Sequence, residues 1–272
     1  MTKLRVWRKP DTMSIVFIVL GAVILLFIFV PPLKTVFSSS PGTLWNTLLE
    51  EDIYSSILLT ISAALVATLI GLCLGVPLAY LLARHQFRGK RFLEAIIDVP
   101  IVIPHSAAGV ALLFVFGSNF LGGKFFHSMG IGFFGAFAGV VIAMMFVSIP
   151  FLIDSAKEGF KAVDVRLEKV ARTLGASPWR SFFRISLPLA WRSIFSGSVL
   201  MWARGLSEFG AIVIIAYNAG FLGWNTKVLP ILVADRFDFG LDYAQPVAAL
   251  AIIVSLIAFV ALRSMAYRGE QA

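Results

Sequence analysis

The sequence predicts an all-α membrane protein, one transmembrane domain over residues 1–272 built on six transmembrane helices. Three observations carry that expectation. Of the residues, 59% are hydrophobic and 14% charged, whereas a soluble domain carries about 25% charged and about 45–50% apolar residues. Six apolar runs are long enough to cross a bilayer, which takes roughly 20 residues each. Basic residues collect in alternate connecting segments, as topology demands of a chain threaded repeatedly through a membrane. The runs lack the period-2 alternation of barrel strands, so the spans must be helices. The net charge of +8 is this loop bias, and no nucleic-acid partner is expected.

The first span is 13–36. The preceding MTKLRVWRKPD resembles the basic start of a signal sequence. The apolar run is too long for a signal core, and Pro31-Pro32-Leu33 is no cleavage pattern, so the span is read as retained. The second span, 53–83, holds no charged residue. It exceeds the bilayer and must tilt or protrude. The third, 95–117, contains Pro100 and Pro104, which free backbone groups and allow a kink. With Asp98, His105 and Ser106 beside them, these residues are candidates for lining a pathway. The last three spans are 131–153, 193–217 and 243–262. Cys73 is the only cysteine, which rules out an intramolecular disulfide and a Cys-based metal site; it is expected to be a small packing residue.

The loops set the orientation. Lys3, Arg5, Arg8 and Lys9 precede the first span. Arg84, Arg88, Lys90 and Arg91 follow the second, and Lys157 to Arg192 follow the fourth. Arg263 and Arg268 lie near the C-terminus. The alternate loops carry Lys34, Lys124, Lys227 and Arg236 against Glu50, Glu51, Asp52, Asp235, Asp238 and Asp242. By the positive-inside rule both termini and the long loop 157–188 are cytoplasmic.

That loop has its own grammar. Asp164 is a good N-cap. Leu167, Val170, Ala171 and Leu174 then fall at i, i+3, i+4 and i+7, with Arg166, Lys169 and Arg172 on the other side. Gly175 is a natural helix terminus. Ser177 caps a second helix with Pro178 at its first position, an apolar face of Trp179, Phe182 and Phe183, and a stop at Pro188. Pattern alone leaves two readings open: an interfacial hairpin on lipid headgroups, or a docking device.

The spacing from Ala171 resembles the "EAA" loop of permease subunits of ATP-binding-cassette importers: Glu-Ala-Ala, three residues, Gly, nine residues, Ile, one residue, Leu-Pro. Here Ala171, Gly175, Ile185, Leu187 and Pro188 match, while Lys169-Val170 replace Glu-Ala and Glu168 is adjacent. The runs DVPIVIPH, FVSIP, KEGFKAVDVRLEKVARTLGASP and WARGLSEFGA are similar to molybdate/tungstate permeases, and sulfate and thiosulfate permeases share similar stretches. The resemblance implies a type I importer permease fold and a coupling helix that seats in an ATPase subunit. It implies a homodimer, two cytosolic ATPase subunits that use ATP and Mg, and an external oxyanion-binding protein. Asp164, Arg166, Lys169, Ala171, Arg172, Gly175, Ser177, Leu187 and Pro188 are then the candidate coupling residues.

No catalytic site is legible. Gly122-Gly123-Lys124-Phe125 lacks the remaining parts of a phosphate-binding loop. His85, His105 and His127 are scattered without metal-ligand spacing, and no cofactor is expected on this chain. Arg204 and Glu208 lie at i, i+4 in the fifth span, with Ser207 between them. Charges in a span usually face the protein interior. They are either a neutralising pair or a gate in which Arg204 attracts an oxyanion. Phe114, Phe116, Phe133, Phe134 and Phe137 are candidates for an external hydrophobic seal. A rival from another class, an ATP-independent secondary transporter, predicts internal repeats and broken midplane helices; no convincing repeat is present.

Overall fold

Each of the six apolar runs folds as helix, but two of them fold in broken form. The computed structural model describes residues 11–268, so the basic residues Lys3, Arg5, Arg8 and Lys9 lie outside the described part. Helix α1 (Thr12–Phe37) starts at Asp11, whose carboxylate accepts from the Ser14 N–H at 2.9 Å. It buries no residue against the rest of the chain, as befits a helix apolar all round that meets lipid or a partner. A short helix α2 (Pro41–Leu48) leads to α3 (Glu51–Arg84). At 34 residues and about 1.5 Å per residue, α3 is longer than a bilayer core.

The third run is not one kinked helix. Helices α4 (Lys90–Val102) and α5 (His105–Phe116) meet at 114°. Pro104 has no N–H to give, and it forces the residue before it out of the helical region; Ile103 is extended, with φ −70° and ψ 143°. After α6 (Leu121–Ser128), helix α7 (Phe137–Ala162) starts later than position 131 and runs well past 153 into the polar stretch. Helices α8 (Val165–Thr173) and α9 (Pro178–Ser181) follow, then a π turn (Phe182–Ser186) and α10 (Leu187–Leu206). The fifth run also breaks, at residues 207–209, before the short α11 (Gly210–Ile215). A hairpin, β1 (Ala219–Phe221) and β2 (Trp224–Thr226), pairs Ala219 with Thr226. Helices α12 (Leu229–Asp238) and α13 (Leu241–Arg268) complete the chain.

Among the described residues, α1, α3, α7 and α13 are long and apolar enough to cross a membrane alone, and the α4–α5 pair, bent at its break, has the length and apolarity of a broken span or a re-entrant loop. Helix α7 lies between α3 and α10 at the centre of the bundle. Small residues allow that approach: a Cβ on Gly197 of α10 would stand 2.6 Å from the Ser155 Cβ of α7. One apolar cluster joins α3, α5, α7, α10 and α11. A second, around Leu82, Ile153, Phe160 and Ile194, lies beside the polar stretch.

The expected aromatic seal is divided. Phe116 and Phe133 pack with Phe126, while Phe137 stacks on Phe221 at 5.2 Å. Phe114 and Phe134 are exposed. Cys73 is exposed too, so it is not the packing residue expected of it. The loop charges on the opposite side from the polar stretch pair with one another. Arg236 bridges Glu50 at 2.7 Å and Asp52 at 2.8 Å, and the Tyr217 hydroxyl donates to Asp235 at 2.8 Å.

Candidate functional site

The polar stretch forms the two capped elements that its sequence predicts. The Asp164 carboxylate accepts from the Arg166 N–H at 2.9 Å and starts α8. Gly175 ends it at φ +90°, a left-handed conformation that side chains resist. The Ser177 hydroxyl accepts from the Arg180 N–H at 3.2 Å, with Pro178 in the first position of α9.

Two features differ from the sequence reading. First, the apolar residues of α8 point outward. Leu167, Val170 and Leu174 are 46%, 56% and 83% exposed, alongside exposed Arg166, Lys169 and Arg172, while Ala171 is half-buried. Second, Pro188 does not stop the second helix. The chain passes from α9 through the π turn straight into α10, with Leu187 helical at φ −64° and ψ −48°. A proline in the first turn of a segment gives up an N–H that the turn need not use, and the wider π turn absorbs the misfit.

What holds α8 is a residue outside the expected set. Glu168 is buried. Its Oε1 accepts from Arg84 Nε at 2.7 Å and from the Ser186 hydroxyl at 2.7 Å, and lies 2.6 Å from Arg84 Nη2. Its Oε2 accepts from the Tyr80 hydroxyl at 2.9 Å. Arg84 also donates to the carbonyls of Phe160 at 2.8 Å and Val163 at 3.1 Å, the frayed end of α7. One carboxylate thus ties α8 to the end of α3, the end of α7 and the π turn that leads into α10. Burial opposes ionisation of Glu168, but hydrogen bonds from Ser186, Arg84 and Tyr80 together outweigh it and hold the carboxyl below the usual range. The motif register puts Lys169 where a glutamate is expected, and Lys169 is exposed. The only signal available in sequence was a glutamate one position earlier, on the helix face opposite the exposed apolar residues.

A second polar cluster sits where the two broken spans meet. His105 is the first residue of α5, and Glu208 lies in the break before α11. A Cβ on Gly210 would stand 2.6 Å from the His105 Cβ, so the two breaks touch. Glu208 is 1% exposed; its Oε1 accepts from the Ala211 N–H at 2.9 Å and caps α11. Its Oε2 lies 2.8 Å from His105 Nδ1 and 3.1 Å from Arg204 Nη2. Arg204 Nη1 reaches the Ser207 hydroxyl at 3.3 Å. Of the pathway candidates, His105, Arg204, Ser207 and Glu208 come together, with Pro104 making the break. Ser106 follows on the exposed side of α5. Asp98 does not join them. It lies on α4 with Glu94, facing Asp154 and Lys157 of α7, and Pro100 is buried in the same helix. Among the described residues, no group of three or more His, Cys, Asp or Glu is placed to hold a metal.

Comparison with known proteins fits this architecture. Residues 75–268 match the family described as "Binding-protein-dependent transport system inner membrane component". The molybdate/tungstate transport system permease protein WtpB of Pyrococcus furiosus is 40% identical over 97% of this chain and 99% of its own. Its namesake in Methanocaldococcus jannaschii is 42% identical over 94% and 96%. A probable sulfate transport system permease protein of Chlorokybus atmophyticus is 34% identical over 86% and 82%. In fold the chain is similar to the bacterial ABC transporter for the acidic polysaccharide alginate, with TM-score 0.70 and 17% identity over 93% of this chain and 95% of that one. The MetNI methionine ABC transporter gives TM-score 0.61 and 15% identity over 85% and 97%. With its apolar helices, its bent span and its capped polar loop, the chain belongs to the family of binding-protein-dependent transport system inner membrane components.

Proposed function

We propose that this chain is the membrane-spanning permease of an ATP-driven importer of molybdate or tungstate. The observation that carries it is the 40% identity to a molybdate/tungstate permease over nearly the whole of both chains. The sulfate-permease relatives match less well and over less of their length. The family places the chain in a multi-pass membrane protein; the basic loops orient it with both termini and the 157–188 stretch in the cytoplasm.

In this reading two copies form one pathway. Two cytosolic ATPase subunits bind ATP and Mg, and an external binding protein delivers the oxyanion. The exposed row of Leu167, Val170 and Leu174, ringed by Arg166, Lys169 and Arg172, is the surface that meets the ATPase. Apolar side chains left bare at the cytoplasmic end of a permease need a partner. Closure of the ATPase pair on ATP moves α8, and the Glu168 ties carry that motion to α3, α7 and α10.

The docking assignment has a direct test. Gly175→Val places a β-branched residue at φ +90°, where it is strained by about 1–3 kcal/mol. Nothing lies within 4 Å of the added Cβ, so the strain acts on the turn alone. The variant is expected to insert normally but to lose ATPase pull-down and substrate-stimulated ATP hydrolysis. Wild-type behaviour in both assays would sink the assignment.

The substrate assignment has another. A dianion needs several donors to replace its hydration, and Arg204, with Glu208 at 3.1 Å, supplies a half-neutralised one. Tight selection therefore belongs to the external binding protein. Calorimetry on the purified permease alone is expected to show no submicromolar binding of molybdate, tungstate or sulfate. A tight, stoichiometric signal would contradict this division of labour.

A further inference from the structure

Beside the elements that Glu168 ties together runs an apolar groove. A cavity of about 710 Å³ opens between α3 and the run of α9, π turn and α10. Cys73, Leu81, Trp179, Phe183, Leu187 and Trp191 are in its lining. Leu81, Trp179, Phe183 and Trp191 are each at least half exposed. Trp179 and Phe183 stack with their ring centres 6.0 Å apart and their planes 15° from parallel, so this wall is built before anything enters.

Depth, direction and charge restrict what can fill the groove. On α3 it extends to Cys73, roughly 16 Å along the helix from Arg84 at 1.5 Å per residue. A soluble partner at the polar stretch does not reach so far into the apolar bundle. On α10, Trp191 lies roughly 140° around the helix from the pathway candidate Arg204, at 3.6 residues per turn. The groove therefore faces away from the pathway and toward the bilayer, and its tryptophans suit the membrane–water boundary. Its charges are all of one sign. Arg180 follows Trp179, Arg184 follows Phe183 and Arg192 follows Trp191. All three arginines are exposed. Among the described residues none of them has an acidic partner. Basic side chains at this level attract anionic headgroups, and the planar guanidinium fits a phosphate with two hydrogen bonds.

We propose that this groove is a binding site for one anionic phospholipid, with an acyl chain along the α3–α10 wall and the headgroup phosphate at Arg180, Arg184 and Arg192. The cavity is within the roughly 300–1,000 Å³ of ordinary ligand pockets. Lipid tails are as apolar as leucine, so the wall accepts any acyl chain and the choice among lipids rests with the arginines. The lipid braces α3 against the π turn, the two elements whose Tyr80 and Ser186 hydroxyls meet on Glu168. The site stands whichever oxyanion the permease carries.

The test is tryptophan fluorescence of the full-length chain, alone and as the permease–ATPase complex, in phosphatidylcholine vesicles. A minor share of the lipid carries brominated acyl chains, which quench nearby tryptophan, and that share is either phosphatidylglycerol or phosphatidylcholine. The groove signal is the part lost in the double variant Trp179→Phe, Trp191→Phe. Brominated phosphatidylglycerol is expected to quench it at a more than fivefold lower share than brominated phosphatidylcholine, since one basic residue near an anionic headgroup is worth about a factor of five. Arg180→Gln, Arg184→Gln and Arg192→Gln together are expected to bring the two lipids level. Equal quenching by both lipids in the wild type, or a preference that survives the triple variant, overturns the proposal. Quenching lost on adding the ATPase assigns the groove to that partner, and quenching absent throughout assigns it to another protein element; either overturns the proposal too. Should the triple variant not assemble, salt decides on the wild type: the preference is expected to fall as sodium chloride is raised, and a preference indifferent to salt overturns the role of the arginines and the proposal with it.

Discussion

Glu168→Ala is expected to be the most damaging single substitution in the polar loop, destabilising the chain by about 3–5 kcal/mol, the usual result of stripping one partner from a buried ion pair. The Arg84 side chain is 6% exposed and would keep its charge with the carbonyls of Phe160 and Val163 and the Tyr80 ring, and no carboxylate, to receive it. Tyr80 and Ser186 would lose their acceptor as well. The loss is electrostatic more than steric, so the double variant Arg84→Met, Glu168→Met should recover part of the stability. ATPase coupling should not recover, because α8 would no longer be tied to α3 and the π turn. Thermal unfolding of the detergent-solubilised complex reads the first effect and substrate-stimulated ATP hydrolysis the second. A double variant no better than Glu168→Ala would show that the ion pair is not what holds α8.

The same carboxylate gives a pH signature. Its folded value lies below the unfolded one, so its stabilisation is complete above the ordinary glutamate value of about 4.3 and is lost as pH falls through the lower folded value. Wild-type stability minus that of Glu168→Gln is thus expected to stay constant from neutral pH to about 5 and to shrink below about 4. A difference that grows on acidification would contradict the sign of the shift.

Arg204→Met is expected to be worse than the double variant Arg204→Met, Glu208→Gln. Alone, it leaves the Glu208 carboxylate, 1% exposed, without its cation, and such orphaned charges cost about 3–5 kcal/mol. Adding Glu208→Gln removes the orphan while an amide oxygen still accepts from the Ala211 N–H, keeping the cap on α11, a contact worth about 1 kcal/mol. Expression level and melting temperature of the two single variants and the double variant decide. Simple additivity would count against a coupled pair.

Much of this protein is legible from sequence because it depends on short-range order. Apolar length places the helices, since a bilayer demands about 20 residues whatever follows. Asp164, Gly175 and Ser177 mark their turns correctly because caps and left-handed turns are decided within three or four residues. The distal assignments failed for the same reason. Pro188 reads locally as a stop, but the π turn before it lets the helix continue. The apolar stripe of α8 was legible, but not its direction, because Glu168 turns inward only when Arg84, 84 residues away, is there to meet it. Pro104 signalled a kink, but not a 114° break that sets His105 against Glu208, 103 residues along the chain. Sequence settled what each segment prefers by itself. Tertiary structure decided which polar groups share a low-dielectric site, because there a charge is tolerated only if its partner arrives from elsewhere in the chain.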